Sequence, residues 1–284
     1  MRDHHEQIHF TKMHDCGNDY IFIDNTDDSI TAPESLCVSL CRHHYSIGAD
    51  GIVLVEKSEI ADAKMRSFNR DGSEGRMAGN NLRCIGKYLY DKGIAVKDTM
   101  RIETAEGIRT IHIYTRNQKA GTISVDMGKI GWDTDLIPVK SEKKEMVNEP
   151  VTIGGQEYRI TALSVGNPHC VVFADAIDTI DLKSVGPQFE YADIFPDRIN
   201  TEFVRVVDPY TLRVRVFERG SGITLACGTG ACAAAAAAVR LGYCRENTDI
   251  TVKLPGGDMS VRIENDNVTL TGSASIAFEG SFEY

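Results

Sequence analysis

The sequence predicts an α+β protein made of two pseudo-symmetric halves, each rich in short strands and each cradling one main helix. Three observations predict it. The chain has 284 residues, against about 100–150 for a typical domain, so two domains of similar size are expected. Its composition, 42% hydrophobic and 25% charged, is that of a globular chain with apolar material for two cores. It also repeats itself at a fixed offset.

"GNDYIFID" begins at Gly17 and "GNPHCVVF" at Gly166. "KMRSFNRDG" begins at Lys64 and "RVRVFERGS" at Arg213, while "MAGNNLRCIGKYLYDKG" begins at Met77 and "ACGTGACAAAAAAVRLG" at Ala226. Each pair is 149 positions apart (166 less 17, 213 less 64, 226 less 77). Solenoid repeats run about 20–50 residues, so a period this long signals duplicated domains.

The elements follow in order within each half. Gly-Asn leads into a β-branched or aromatic run, Tyr20 to Ile23 and Cys170 to Phe173, which reads as a strand. "MRSFN" and "LRVRVFE" come next. In the second, Arg and Val alternate with period two, which gives the strand one wet and one buried face. A glycine-rich loop then opens a helix that ends at Gly93 or Gly242, both placed as residues just past a helix C-terminus. The helix Ala231 to Leu241 has high intrinsic propensity and almost no side-chain bulk, as an enclosed helix requires. "RIETAEGIRTIHIY", "TISVDMG", "ITVKLPGGDMSVRIE" and "NVTLTGSASIAFEGSF" read as short strands broken by turns.

A net charge of −10 argues against a nucleic-acid or anionic-membrane surface, since both need clustered Lys and Arg. It permits a small anionic substrate held by helix N-termini. No apolar run reaches the roughly 18 residues of a membrane span, and "MRDHHEQIHF" lacks a signal-peptide pattern. A reducing cytoplasm is therefore expected, with the eight cysteines mostly free thiols. "CVSLCRHH" raises a metal site from Cys37, Cys41, His43 and His44. Cys37 and Cys41 would share one face of a helix opened by Pro33, which suits packing, and no further ligand set is evident, so no metal is expected.

The chemistry points to the two helix entries. A helix N-terminus carries unsatisfied N–H groups and partial positive charge, so it binds a carboxylate and lowers a thiol pKa below about 8.5. Cys227, in "ACGTG", is placed for this. Two such mouths facing each other would set a base on each side of a carbon, the geometry for inverting a stereocentre. Cys84 and Cys232 fall inside the helices and read as packing. Asn18 and Asn167, repeated beside the mouths, are candidate ligands; Asn69 and Asn200 taken singly read as turn formers.

"FTKMHDCGNDYIFID", "RHHYSIGADGIVLV", "FNRDGSEGRMAGNNLRC", "VGNPHCVVF", "RINTEF", "ERGSGITLACGTGACA" and "LPGG", in this order from about residue 9 onward, resemble diaminopimelate epimerase. The resemblance implies a pyridoxal-independent two-cysteine enzyme that interconverts LL- and meso-diaminopimelate. It implies two similar domains, each a barrel-like, mostly antiparallel sheet around a central helix, with a cleft between them. The halves are expected at 1–127, completed by 273–284, and at 128–272. By motif, Cys227 matches one catalytic cysteine. Asn18, Asn69, Asn167, Asn200, Glu218 and Arg219 match the residues that hold the two amino-acid ends. Gly79, Asn80, Gly228 and Thr229 match the backbone donors to the reacting carboxylate, and His169 supports the site. No cofactor and no metal are implied; the expected partner is a small amino acid, with no nucleic acid and no membrane, and a homodimer stays open.

The departure is Ala78, which stands where the family has its second cysteine and where the repeat expects one. Asp15 and Asn81 also replace residues that are usually glycine. Three readings of Ala78 stand: a base removed by design, a base lost in nature, or one whose work has passed to Cys16, two residues before Asn18. Two other functions remain in play. One is another amino-acid racemase of this fold, for histidine or proline, against which Asn200, Glu218 and Arg219 argue because such a substrate would leave them unpaired. The other is a binding relative that keeps the pocket without turnover.

Overall fold

The computed structural model describes residues 7–75 and 79–283, with the backbone alone at Gly79 and Asn80. Ala78 lies outside the described residues. The chain divides into two compact units: one runs to Val125 and resumes at Gly272, and the other is Asp126–Thr271.

In the first unit β1 (Gln7–Asp15) and β2 (Asn18–Asp24) form an antiparallel hairpin. Its turn is made by Cys16 and Gly17, with φ of 50° and 85°. Helix α1 (Pro33–Leu40) carries Pro in its first turn, where an N–H has no partner to lose. β3 (Gly51–Glu56) is buried throughout and runs parallel to β2; β4 (Ala63–Asn69) returns antiparallel to β3. The short β5 (Glu74–Gly75) precedes helix α2 (Gly79–Asp91). β6 (Thr99–Thr104) joins β4 in parallel, then β7 (Gly107–Arg116) and β8 (Lys119–Lys129) complete a meander. α2 buries Leu82, Ile85 and Leu89 and packs on β1 and β7.

The second unit repeats this order. β9 (Glu149–Ile153), β10 (Gln156–Ser164) and β11 (Pro168–Phe173) are antiparallel neighbours, followed by α3 (Leu182–Glu190). β12 (Asn200–Asp208) runs parallel to β11, β13 (Thr211–Glu218) antiparallel to β12, and the short β14 (Gly222–Thr224) leads to helix α4 (Gly228–Arg240). β15 (Asp249–Leu254) joins β13 in parallel, and β16 (Gly257–Glu264) and β17 (Asn267–Ser273) close the meander. The last strand, β18 (Ser275–Glu283), pairs antiparallel with β1 in the first unit.

The repeat seen in sequence is a repeat of register. β2 and β3 pair Tyr20 with Gly51, and β11 and β12 pair His169 with Asn200, the same bridge 149 positions on. Gly17 and Gly166 share the left-handed conformation, at φ 85° and 87°. Gly93 and Gly242 also have positive φ, 71° and 75°, and each follows its main helix as a C-terminal stop.

α4 shows why an alanine helix was selected. Every residue from Ala231 to Ala238 is at most 2% exposed, and strands β10, β11, β12, β13, β15 and β16 all pack on it. Methyl side chains let those strands close on the helix backbone without voids. The sheet curls around its helix, and both helices start at the end where the Gly-Asn turns and the ends of β4 and β13 lie in the repeated order.

Candidate active site

Cys227 is the N-cap of α4. Its backbone is extended (φ −133°, ψ 115°), and its Sγ accepts from Gly230 N–H at 3.3 Å. Thr229 Oγ1 lies 3.5 Å from the same sulfur, and the Glu218 carboxyl, at the end of β13, acts on it electrostatically. Thr224 holds that carboxyl, its hydroxyl donating to Oε1 at 2.5 Å.

From Thr229 a chain of polar groups runs inward. Asn167 Nδ2 donates to Thr229 Oγ1 at 3.3 Å, Asn167 Oδ1 lies 2.9 Å from His169 Nε2, and His169 Nδ1 lies 2.7 Å from Glu202 Oε1. His169 and Glu202 are fully buried. Asn200 is 4% exposed, and its carboxamide is engaged at both ends. It donates to Pro168 O at 2.8 Å and accepts from Arg219 N–H at 3.0 Å, so it ties the Gly-Asn turn to the end of β13. The guanidinium of Arg219 is exposed and donates to Asp197 O at 3.0 Å.

The sequence argument expects the helix N-terminus to lower the Cys227 pKa; the structure reverses that. Burial pushes the thiol well above its ordinary value, and the Glu218 and Glu202 carboxyls add to the rise. The Thr229 hydroxyl and the Gly230 N–H oppose it without overcoming the loss of water. Glu218 is itself raised by burial. The pair therefore rests as a neutral thiol beside a carboxyl group whose proton affinity is enhanced.

Around the first mouth the structure places Asn18 at the start of β2, half-buried, and Asn69 at the end of β4, exposed with Nδ2 donating to Ser73 Oγ at 3.0 Å. Gly79 and Asn80 open α2. Asn81 is fully buried, and its Nδ2 donates to Ser67 Oγ at 2.9 Å. Cys16 is half-buried in the β1–β2 turn, hydrogen-bonded to Asp15. Asp15 and Arg83 form an ion pair with neither side chain exposed, and Arg83 Nε donates to Asp15 Oδ2 at 2.5 Å. Thus Cys227, Thr229, Asn167, His169, Glu218 and Asn200 are linked in one unit, and Cys16, Asn18 and the α2 entry lie in the other.

Sequence reasoning missed Glu202, Thr224 and Arg83. Glu202 carried a signal: in a strand of apolar residues it faces inward, and its equivalent 149 positions earlier is Val53. Cys37 and Cys41 are buried with sulfurs 3.7 Å apart, while His43 and His44 are exposed. Among the described residues no group of three His, Cys, Asp or Glu side chains could hold a metal ion. None of the described helices is long and apolar enough to cross a membrane.

A family model described as diaminopimelate epimerase matches residues 10–132 and 161–277. The chain belongs to the diaminopimelate epimerase family. Diaminopimelate epimerase of Acetivibrio thermocellus is 44% identical to it over 278 residues, covering 97% of this chain and 99% of that one. That of Methanococcus maripaludis strain C6 is 43% identical, covering 96% and 99%. Among solved structures, a Bacillus anthracis PhzF-family phenazine biosynthesis protein superposes with TM-score 0.72 at 16% identity, over 98% of this chain and all of that one. A hydroxyproline epimerase of Agrobacterium vitis superposes with TM-score 0.71 at 14% identity, over 100% and 94%. These last two show the shared α+β fold.

Proposed function

We propose that this chain binds diaminopimelate and moves the hydrogen on its α-carbon, interconverting the LL and meso forms in the synthesis of lysine and peptidoglycan precursors. The observation that carries the reading is Cys227: a thiol capping a helix through Gly230 N–H, with the Glu218 carboxyl against it. A substrate α-carboxylate suits the free N–H groups of the first α4 turn, at Gly228 and Thr229. When the α-hydrogen leaves, negative charge spreads into that carboxylate, where the same donors stabilise it. Asn167 and Arg219 serve the polar ends of the amino acid, Arg219 as a fork for a carboxylate.

Cys227 rests as a thiol and so delivers a proton in one direction. In the other it must first lose its proton, and Glu218 is the acceptor beside it. The reading calls for no cofactor and no metal. We place the protein in the cytoplasm, where its eight free thiols persist.

Inversion needs a second acid/base, and alanine at position 78 cannot move a proton. We assign that role to Cys16. It is half-buried, held with positive φ two residues before Asn18, and its thiol adjoins a carboxyl group, Asp15. Ala78 itself favours a second reading, in which Cys227 exchanges the α-hydrogen on one face and no inversion follows. The test is incubation of each isomer in D2O, with α-deuteration read by mass spectrometry and interconversion by chiral chromatography. The protein deuterates the α-carbon, and Cys227→Ser does not. If it also interconverts the isomers and Cys16→Ser does not, Cys16 is the second base; an unchanged rate in Cys16→Ser refutes that assignment. Deuteration without interconversion, with interconversion gained in Ala78→Cys, establishes the one-faced reading. If meso-diaminopimelate fails to raise the melting temperature while histidine does, the substrate assignment is wrong.

A further inference from the structure

The polar chain behind Cys227 ends on a group with no place in the reaction just described. Glu202 has no solvent exposure, and its Oε2 has no hydrogen-bond partner among the described residues. Its Oε1 meets only His169 Nδ1, at 2.7 Å, and lies under the first turn of α4. A Cβ added at Gly230 would come within 2.8 Å of that oxygen. The fold does not require any of this. At the same register in the first unit Tyr20 replaces His169, Val53 replaces Glu202 and Asn81 replaces Gly230. A carboxyl, an imidazole and a glycine have been assembled on one copy of a scaffold that folds without them on the other.

With a neutral imidazole, the hydrogen-bonded chain Glu202–His169–Asn167–Thr229 can be satisfied in two ways. In one, Glu202 is a carboxylic acid that donates to His169 Nδ1; the ring proton is then on Nε2 and donates to Asn167 Oδ1, and the amide nitrogen points to Thr229. In the other, a bare carboxylate accepts from Nδ1–H, Nε2 accepts from the amide nitrogen, and the Asn167 oxygen points to Thr229. The second leaves a buried anion with a single hydrogen bond, which is costly. We propose that Glu202 is a positioning residue for amino-acid binding: as a buried acid it sets the Nε2–H tautomer of His169 and so turns the Asn167 carboxamide nitrogen toward Thr229 and the α4 mouth. The inference rests on the reading of Asn167 as an amino-acid ligand.

Burial raises the Glu202 carboxyl above its ordinary range, with His169 opposing the rise. The other titratable groups that face the pair are Glu218 at the end of β13, Cys227 at the α4 cap and Cys170 on β11. That one carboxyl and the two thiols add no positive charge that would favour an ionised Glu202.

The experiment uses the full chain labelled with 15N-histidine, in which a long-range proton–nitrogen spectrum reports the tautomer of His169, its signals identified by their loss in His169→Gln. Binding of meso-diaminopimelate is measured by titration calorimetry on the same samples. The protein and Glu202→Gln, whose amide donates as the acid does, show Nε2–H and bind within about threefold of each other. Glu202→Leu removes the donor, gives a mixed tautomer signature and binds about tenfold more weakly, as expected for a buried ring nitrogen left without its partner. A His169 protonated on Nδ1 in the unaltered protein, alone or together with Nε2, overturns the proposal, and so does unchanged affinity in Glu202→Leu. If Glu202→Leu does not fold, the tautomer in Glu202→Gln decides: a switch to Nδ1–H alone refutes the proposal, and retained Nε2–H supports it. If the unaltered protein binds no diaminopimelate, the functional reading fails while the tautomer still judges Glu202.

Discussion

Replacing Asp15 by Asn removes the carboxylate from a buried ion pair in the core of the first unit. Asp15 and Arg83 have no exposed side-chain surface, and Arg83 sits in the interior of α2, so its guanidinium cannot reach water. Burial raises the Asp15 pKa even though Arg83 and the Cys16 hydrogen bond pull it down. Desolvation therefore outweighs the attraction, and the pair is no net source of stability compared with apolar side chains. Removing one member is a different perturbation, because it takes away one charge of a buried pair and keeps the other, at about 3–5 kcal/mol. That is a large share of the 5–15 kcal/mol by which domains are stable. The assay that isolates this unit is amide hydrogen exchange by mass spectrometry on peptides from α2. At 1.4 kcal/mol per tenfold, α2 protection in Asp15→Asn falls by roughly two to three and a half orders of magnitude. Asp15→Val with Arg83→Met restores most of it, since replacing both partners removes the charge as well as the pairing. Protection unchanged within about threefold in Asp15→Asn would refute the reasoning, for Arg83 would then have another anion or a path to solvent.

Three further outcomes are expected. Gly230→Ala places a Cβ 2.8 Å from Glu202 Oε1 and 3.3 Å from Cys227 Sγ; the overpacking costs about 1–3 kcal/mol, more than the ~1 kcal/mol helix gain, so the melting temperature drops, and a rise would show room the structure denies. The Glu202 carboxyl is raised in the folded protein, so the folded state binds the extra proton and stability falls as pH climbs from about 4.5; Glu202→Gln lacks that slope, its melting temperature gains on the parent between pH 4.5 and 8, and a constant difference refutes the assignment. Cys227, pushed up by burial and by Glu218, is alkylated by iodoacetamide at a rate that still climbs above pH 9; a plateau by pH 8, read on the Cys227 peptide, means a thiolate already formed.

Much of the site was legible because it is written in local chemistry. "ACGTGACA" announces a helix entry with a thiol through small residues alone, and the 149-residue register makes the opposite entry visible without any structure. The strands were readable where alternation was strict, as in "LRVRVFE", where Val214 and Val216 are buried and Arg213 is exposed. What was not readable depends on distance through space. The thiol pKa departs from what the helix entry alone implies, because a helix N-terminus is written in a few consecutive residues, whereas burial under a sheet of six strands is a property of the whole unit. Asn200 reads as a ligand by motif, yet its two hydrogen bonds run to Pro168 and Arg219, contacts no spacing rule predicts. Nothing in "NNLRC" signals that Arg83 is paired with Asp15, 68 positions earlier.

The two helix entries show that substitutions at them are coupled. In the second unit the polar group comes from the strand: Glu202 reaches from β12 into space that only a glycine at 230 leaves open. In the first unit the polar group comes from the helix: Asn81, at the equivalent place, reaches to Ser67 on β4, and the strand offers Val53. The second arrangement excludes the first in its own unit, since a side chain at 230 would meet the Glu202 carboxyl, to which a Cβ there already comes within 2.8 Å. A cysteine introduced at 78 would therefore add a thiol to a unit that has no counterpart of Glu202 or Gly230. The first mouth offers instead a carboxyl at Asp15, fixed by Arg83 and already bonded to a thiol at Cys16. If proton transfer has moved within this chain, it has moved to where a thiol and a buried carboxyl already stand together, the same pairing that Cys227 makes with Glu218.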